Sequence, residues 1–310
     1  MSVPLHVLVI AYVWPEPSSS AAGSHLLSIL TEFQAQNCTI TIASPAQATE
    51  QMADLASLGI ERKEVLLNDS SFDDYVKDLQ PDIVLFDRFM MEEQFGWRVE
   101  KACPSAMRIL DTEDLFCLRH ARHDQHKKQL ANEKQSGEAV PISASVNREL
   151  LFTELAQREI ASIYRCDLSL IISEVELEIL IDMFKIDPAL LIYFPLQGKK
   201  LSTIEQQTNL GFLDRQHFIS IGNFRHPPNW DAVLWLKNSV WPEIRKHLPA
   251  ANLNIYGAYT PPKAMALHNP KQGFLIHGWV EDANTVMSNA RVNMAAVRFG
   301  AGLKGKILDA

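Results

Sequence analysis

The sequence predicts an α/β protein built as two doubly wound parallel-sheet domains, and three observations carry that expectation. Short apolar runs of strand length alternate with helical periodicity from Leu5 to Val297, the pattern of parallel sheets covered by helices on both faces. Between Gln197 and Gln216 the apolar periodicity lapses and Gly, Lys, Ser, Thr and Gln gather, as in a linker; this divides the chain into domains 1–200 and 201–310. Finally, 310 residues that are 47% hydrophobic and 21% charged suffice for two cores.

Each element follows from its residues. Leu5–Ala11 is a nearly unbroken apolar run and reads as a strand buried on both faces. A Pro/Ser loop, Trp14–Ser20, leads to a helix opened by Ala21-Ala22-Gly23-Ser24-His25, with Leu26, Leu27, Ile29, Leu30 and Phe33 inward. A strand at Thr39–Ala43, a helix around Glu50–Leu58, a short strand near Lys63–Leu67, a helix at Phe72–Leu79 and a strand at Asp82–Asp87 continue the alternation. A helix over Glu92–Lys101 precedes the strand Met107–Leu110, which ends in Asp111-Thr112-Glu113-Asp114. These acids and the Gly23 loop are expected on one rim, at the carboxyl ends of the strands, where open α/β sheets bind ligands. Asp111 and Asp114 read equally well as catalytic groups and as turn or capping residues.

Cys117–Val140 is polar and basic, and the spacing of His120, His123 and His126 suits a solvated helix face better than a metal site. A long helix over Ser145–Tyr164 leads to the strand Leu168–Ile172, and Ser173 with Glu176 matches a capping box. After the linker come strands at His217–Ile221, Asn252–Tyr256, Phe274–His277 and Arg291–Val297, with helices from Asp231 and after Glu281.

A net charge of −8 argues against a general nucleic-acid binder. Cys38, Cys103, Cys117 and Cys166 are scattered with no Cys-x-x-Cys pair, which suits reduced thiols in a cytoplasmic protein. The run Leu5–Val13 is too short to span a bilayer, so a soluble protein is expected, with peripheral membrane contact left open.

The last stretch, Arg298–Ala310, places Gly300, Gly302 and Gly305 with Lys304 and Lys306 between a strand and a helix start. Glycines permit close backbone approach, and amides beside lysines suit phosphate. The spacing is neither that of a P-loop nor that of a dinucleotide fingerprint. A glycine-rich turn with two solvated lysines accounts for it equally well.

Four segments in order resemble a glycosyltransferase of the GT-B fold, family 4. They are the opening strand with Gly23-Ser24-His25, then Ile109–Asp114, then Ile219–Phe224, and last Ile276–Asp282 continuing to Gly300–Ala310. The resemblance implies two Rossmann-like domains, acceptor side first and donor side second. It implies transfer of a sugar from a nucleotide-sugar donor to a glycan, lipid-linked or small-molecule acceptor, generally with retention, with no metal or other cofactor. It places Gly23, Gly222, Arg225, His226, Gly300, Gly302, Lys304 and Asp309 at the donor, with Lys304 expected to matter more than Lys306. Asp309 falls at the second carboxylate of a Glu-x7-Glu motif whose first position is Ala301. The Arg and Lys usual after the Gly222 turn are replaced by Asn223 and Pro227-Pro228-Asn229. By ordinary domain size the family would continue for roughly 60–100 residues beyond Ala310. An inactive nucleotide-sugar binder and a sugar-nucleotide epimerase are the competing readings.

Overall fold

The computed structural model describes residues 3–136, 146–198 and 210–310. Most of the predicted linker, with the 200/201 boundary, lies outside the described residues, as do the start of the predicted Ser145 helix and the end of the Cys117–Val140 segment. The chain forms two compact units. One comprises Met1–Pro17, Ala22–Leu196 and Gly300–Leu303; the other comprises Ser18–Ala21, Gln197–Phe299 and Lys304–Ala310.

Among the described residues the first unit holds seven strands: β1 (His6–Ile10), β2 (Thr39–Ser44), β3 (Glu61–Glu64), β4 (Ile83–Asp87), β5 (Met107–Asp111), β6 (Leu168–Ile171) and β7 (Leu191–Tyr193). Their order is β3-β2-β1-β4-β5-β6-β7, and every neighbouring pair is parallel. Successive side chains of a strand face opposite ways, and β1 shows the consequence. Val7 and Val9 pack with Trp14, Leu26 and Leu30 of one layer, whereas Leu8 and Ile10 pack with Phe72, Phe86 and Phe95 of the other. The helices are α1 (Ala21–Ala35), α2 (Ser71–Leu79), α3 (Phe89–Ala102), α4 (Phe116–Ser136), α5 (Arg148–Leu151), α6 (Glu154–Arg165) and α7 (Glu174–Glu178).

Three sequence expectations change here. The helix over Glu50–Leu58 is a series of turns: the Asp54 carboxylate accepts from Ser57 N, and Gly59 is left-handed at φ 69°, so local side-chain bonds replace the helix ladder. The third strand falls at Glu61–Glu64, where charge protects a sheet edge, and leaves Leu66 and Leu67 exposed. The single Ser145–Tyr164 helix is broken into α5 and α6, because the Thr153 hydroxyl accepts from Ala156 N and starts a new helix.

The second unit has β8 (Gln216–Ile221), β9 (Leu253–Tyr256), β10 (Phe274–Gly278) and β11 (Ala290–Asn293), all parallel in the order β10-β9-β8-β11. Helix α8 (Pro227–Trp235) continues through a π turn into α9 (Trp241–His247). Short helices α10 (Pro262–Met265), α11 (Ala283–Met287) and α12 (Gly305–Leu308) complete it. Phe224, Val233, Leu236, Trp241, Leu253, Phe274 and Ile276 form its core. The last strand is shorter than the predicted Arg291–Val297, because its pairing with β8 ends at Asn293 opposite Ile219.

Strand order reverses between β1 and β4 in the first unit and between β8 and β11 in the second. Such reversals are where open α/β sheets leave a crevice at the carboxyl ends. Among the described residues no helix is long and apolar enough to cross a membrane.

Candidate functional site

Each reversal point gathers a different set of charged groups. In the first unit the strand ends carry acids. Asp87 closes β4 and accepts from Tyr12 N at 2.9 Å. Asp111 closes β5; it is fully buried, and one of its oxygens accepts from Glu113 N at 3.2 Å. That bond two residues along the chain is the turn reading offered by the sequence. Both oxygens of Asp114 accept from the Arg119 guanidinium, at 2.8 and 2.7 Å. Asp111 is thus buried, and Asp114 is paired with Arg119.

Two residues beside them hold unusual backbone. Arg88 has φ 74° and Glu113 φ 57°, and Arg88 N donates to the Asp111 carbonyl at 2.8 Å. Non-glycine residues at positive φ are strained and persist where the surroundings over-determine them. Burial, then the charge of Asp87, pushes Asp111 up to about 7. Burial, then Asp111, also raises Glu113. His25, from the Gly23-Ser24-His25 helix start, joins this site. Its ring is buried on α1, 3.9 Å from Asp111, and burial lowers it to about 4. At neutral pH the imidazole is uncharged.

The first unit also holds the front of the glycine-rich segment. Arg122 on α4 donates to the Gly300 carbonyl at 2.8 Å, and Gly302 N donates to the Glu176 carboxylate. Gly302 has φ 63°, and a Cβ there would stand 2.9 Å from the Asp114 Cβ. Ser173 makes no side-chain cap, so the predicted capping box is not formed. Glu176 instead accepts from Leu115 N and Gly302 N. Gly23 lies in the first turn of α1, where a Cβ would come within 2.6 Å of the Glu16 backbone, so its role is close packing of the preceding loop.

In the second unit the reversal point carries cations and amides. The Lys306 ammonium donates to the Asn229 side chain at 2.8 Å, and Asn229 in turn donates to the Asn223 carbonyl at 3.0 Å. Gly222 ends β8 against both: a Cβ there would stand 2.7 Å from the Asn229 amide and 2.8 Å from the Lys306 Nζ. Asn293, at the end of β11, donates to the Lys306 carbonyl at 2.5 Å. Burial, and then the charge of Lys304, lowers Lys306 to about 8. Among the described residues no carboxylate pairs with Lys306, whereas Arg298 nearby in sequence holds Asp231 through two bonds of 2.9 and 2.6 Å.

The remaining predicted donor residues of this unit lie on the turn after β8 and on the segment around Lys306: Arg225 N donates to the Asn223 side chain and His226 N to the Asn223 carbonyl. Arg225 is exposed and lies 3.6 Å over the Tyr259 ring. His226 is the N-cap residue of α8, without a side-chain cap bond. Asp309 is exposed at the end of α12, and Lys304 is the residue preceding that helix. The structure thus brings Gly222 together with Lys306. The walls beside them, at the ends of β8, β9 and β10, include Ile221, Asn223, Gly257, Ala258 and Trp279.

Residues 215–310 match the family model of Glycosyl transferases group 1. No curated protein sequence matches the chain. Among solved structures, sucrose-phosphate synthase from Thermosynechococcus elongatus has a TM-score of 0.58 at 10% identity, over 96% of this chain and 76% of that one. A glycosyltransferase from Rickettsia africae ESF-5 has a TM-score of 0.57 at 10% identity, over 96% and 74%. A mutant of S. aureus TarM, in complex with fondaparinux, alpha-GlcNAc-glycerol and UDP, has a TM-score of 0.53 at 10% identity, over 77% of this chain. This chain spans only 42% of that protein's length. The fold is that of GT-B glycosyltransferases, and the segment from 215 onward is similar to the group 1 family model.

Proposed function

We propose that this chain belongs to a glycosyltransferase that takes a sugar from a nucleotide-activated donor, and that the second unit holds the donor through its diphosphate. The carrying observation is Lys306. A half-buried ammonium that pairs with no carboxylate among the described residues costs free energy unless an anion arrives, and it sits where strand order reverses, against Gly222 and the Asn229 side-chain amide at the end of β8. A leaving nucleoside diphosphate gains negative charge in the transition state, and fixed cations and amides there lower the barrier. TarM, similar in fold, is described in complex with UDP, which makes UDP the first nucleotide to try. In this reading the first unit serves the acceptor, a glycan, a lipid-linked sugar or a small molecule, and the enzyme works in the cytoplasm without a metal.

Among the predicted residues, Gly222 shapes the anion site, while Arg225, His226, Lys304 and Asp309 lie along its approaches. Asp111 is the buried carboxyl that titrates near neutrality, and Asp114 fixes Arg119. The test is a thermal-shift panel of nucleoside diphosphates and their sugars, followed by a transfer assay. A nucleotide-dependent rise in melting temperature with transfer to an acceptor supports the reading. Stabilisation without turnover marks a binding protein, and turnover to an isomeric sugar nucleotide without acceptor marks an epimerase.

A further inference from the structure

We infer that Glu176 is a positioning residue for the glycine-rich segment, acting through the backbone of Gly302 and not on a reacting atom. The inference rests on the donor-site reading above.

Glu176 is fully buried on α7, yet it does not cap its own helix. Its two oxygens accept from two backbone N–H groups far apart in sequence: Leu115, just past β5, and Gly302. A buried carboxylate is costly, and two amide donors offset that cost only while both segments stay in place. The rest of the surroundings fix the same turn. Arg122 holds the Gly300 carbonyl, and α4, which carries Arg122, is itself held at its start by Glu159, which accepts from Phe116 N and Cys117 N at 2.8 and 3.0 Å. Ala301 between them is buried in the core of the first unit. Gly302 fills the left-handed position against Asp114, where a side chain has no room.

From Lys304 onward the chain belongs to the second unit, and Lys306 follows Gly302 by only four residues. Glu176 therefore sets the conformation from which the donor lysine departs, and its loss loosens that lysine without removing any group that touches the donor. Its signature is a donor-binding defect with the acceptor side untouched.

The experiment uses the full chain in three versions: wild type, Glu176→Gln and Lys306→Ala. Each is measured for KM toward the nucleotide-sugar donor, KM toward the acceptor, kcat and melting temperature. Glu176→Gln keeps the side-chain shape but turns an NH2 toward an N–H. We expect donor KM to rise about tenfold, the scale of one lost charge-assisted hydrogen bond, with acceptor KM unchanged. Glu176→Asp, which keeps the charge, should recover part of that loss. If Glu176→Gln does not fold, amide hydrogen exchange of residues 300–303 in Glu176→Asp replaces it, and faster exchange with a raised donor KM is the supporting result. Unchanged or tighter donor binding in a folded Glu176 variant overturns the inference. If Lys306→Ala itself leaves donor binding intact, the donor-site reading fails instead, so the two failures are separable.

Discussion

The two sheet reversal points are built alike and charged oppositely. In the first unit Asp87, Asp111, Glu113 and Asp114 crowd the strand ends, and burial pushes Asp111 up to about 7 and raises Glu113 above the ordinary carboxylate range. In the second unit a lysine stands in that position with an asparagine as its nearest partner. The same architecture thus offers a proton-rich, nearly neutral rim on one side and an anion-seeking rim on the other. The fold fixes where a ligand goes, and the side chains decide which kind.

Opposite charge implies opposite response to pH. Asp111 has a folded value near 7 against an ordinary 3.8, so the fold favours its protonated form. Its contribution is complete below the ordinary value and is lost as pH rises towards 7. Glu159 and Glu176, each pushed up to about 7 chiefly by burial, act in the same direction. Lys306 has a folded value near 8 against 10.5, so its neutral form is favoured and stability is lost as pH falls from 10.5 through 8. Hydrogen exchange followed separately in the two units should show the first protected less at pH 7.5 than at pH 5. The second should be protected less at pH 7.5 than at pH 10. Parallel trends in both would erase the contrast.

Of the substitutions that sharpen the comparison, Gly302→Ala should have the largest effect on stability. Its left-handed backbone and the fixed Asp114 Cβ leave no accommodating motion, so a loss of about 2–3 kcal/mol is expected in chemical denaturation. Gly222→Ala meets only side-chain ends, Asn229 and Lys306, and should cost about 1 kcal/mol while disturbing nucleotide binding. Lys304→Ala should change stability least, within about 0.5 kcal/mol. A larger loss there than at Gly302 would mean that the lysine, and not the turn, holds this segment.

Much of the fold was legible because it depends on apolar runs. The continuous runs Leu5–Ala11 and Asp82–Asp87 and the switch to helical spacing after them required two-sided burial. What escaped depended on contacts distant in sequence. The pair Ser173 and Glu176 matches a capping box, but the sequence does not show that Gly302, 126 residues away, will claim the carboxylate. Lys304 and Lys306 are indistinguishable as letters, and only the folded turn sends the second one to Gly222 and Asn229. His25 was legible as part of the Gly23-Ser24-His25 helix start, but its contact with the distant Asp111 was not.

In the proposed reading Lys306 is the anion-binding cation of the second unit. Titration calorimetry of a nucleoside diphosphate, UDP first, at pH 8.5 tests it most directly when run in two buffers of different ionisation enthalpy. Above its folded value of about 8, Lys306 is largely neutral, and an arriving diphosphate should draw a proton onto it. The wild type should take up a fraction of a proton on binding. Lys306→Met should take up none and bind more weakly by about 1.5–3 kcal/mol, the range for a hydrogen bond to a charged group. Equal affinity and equal proton uptake in the two proteins would contradict the account.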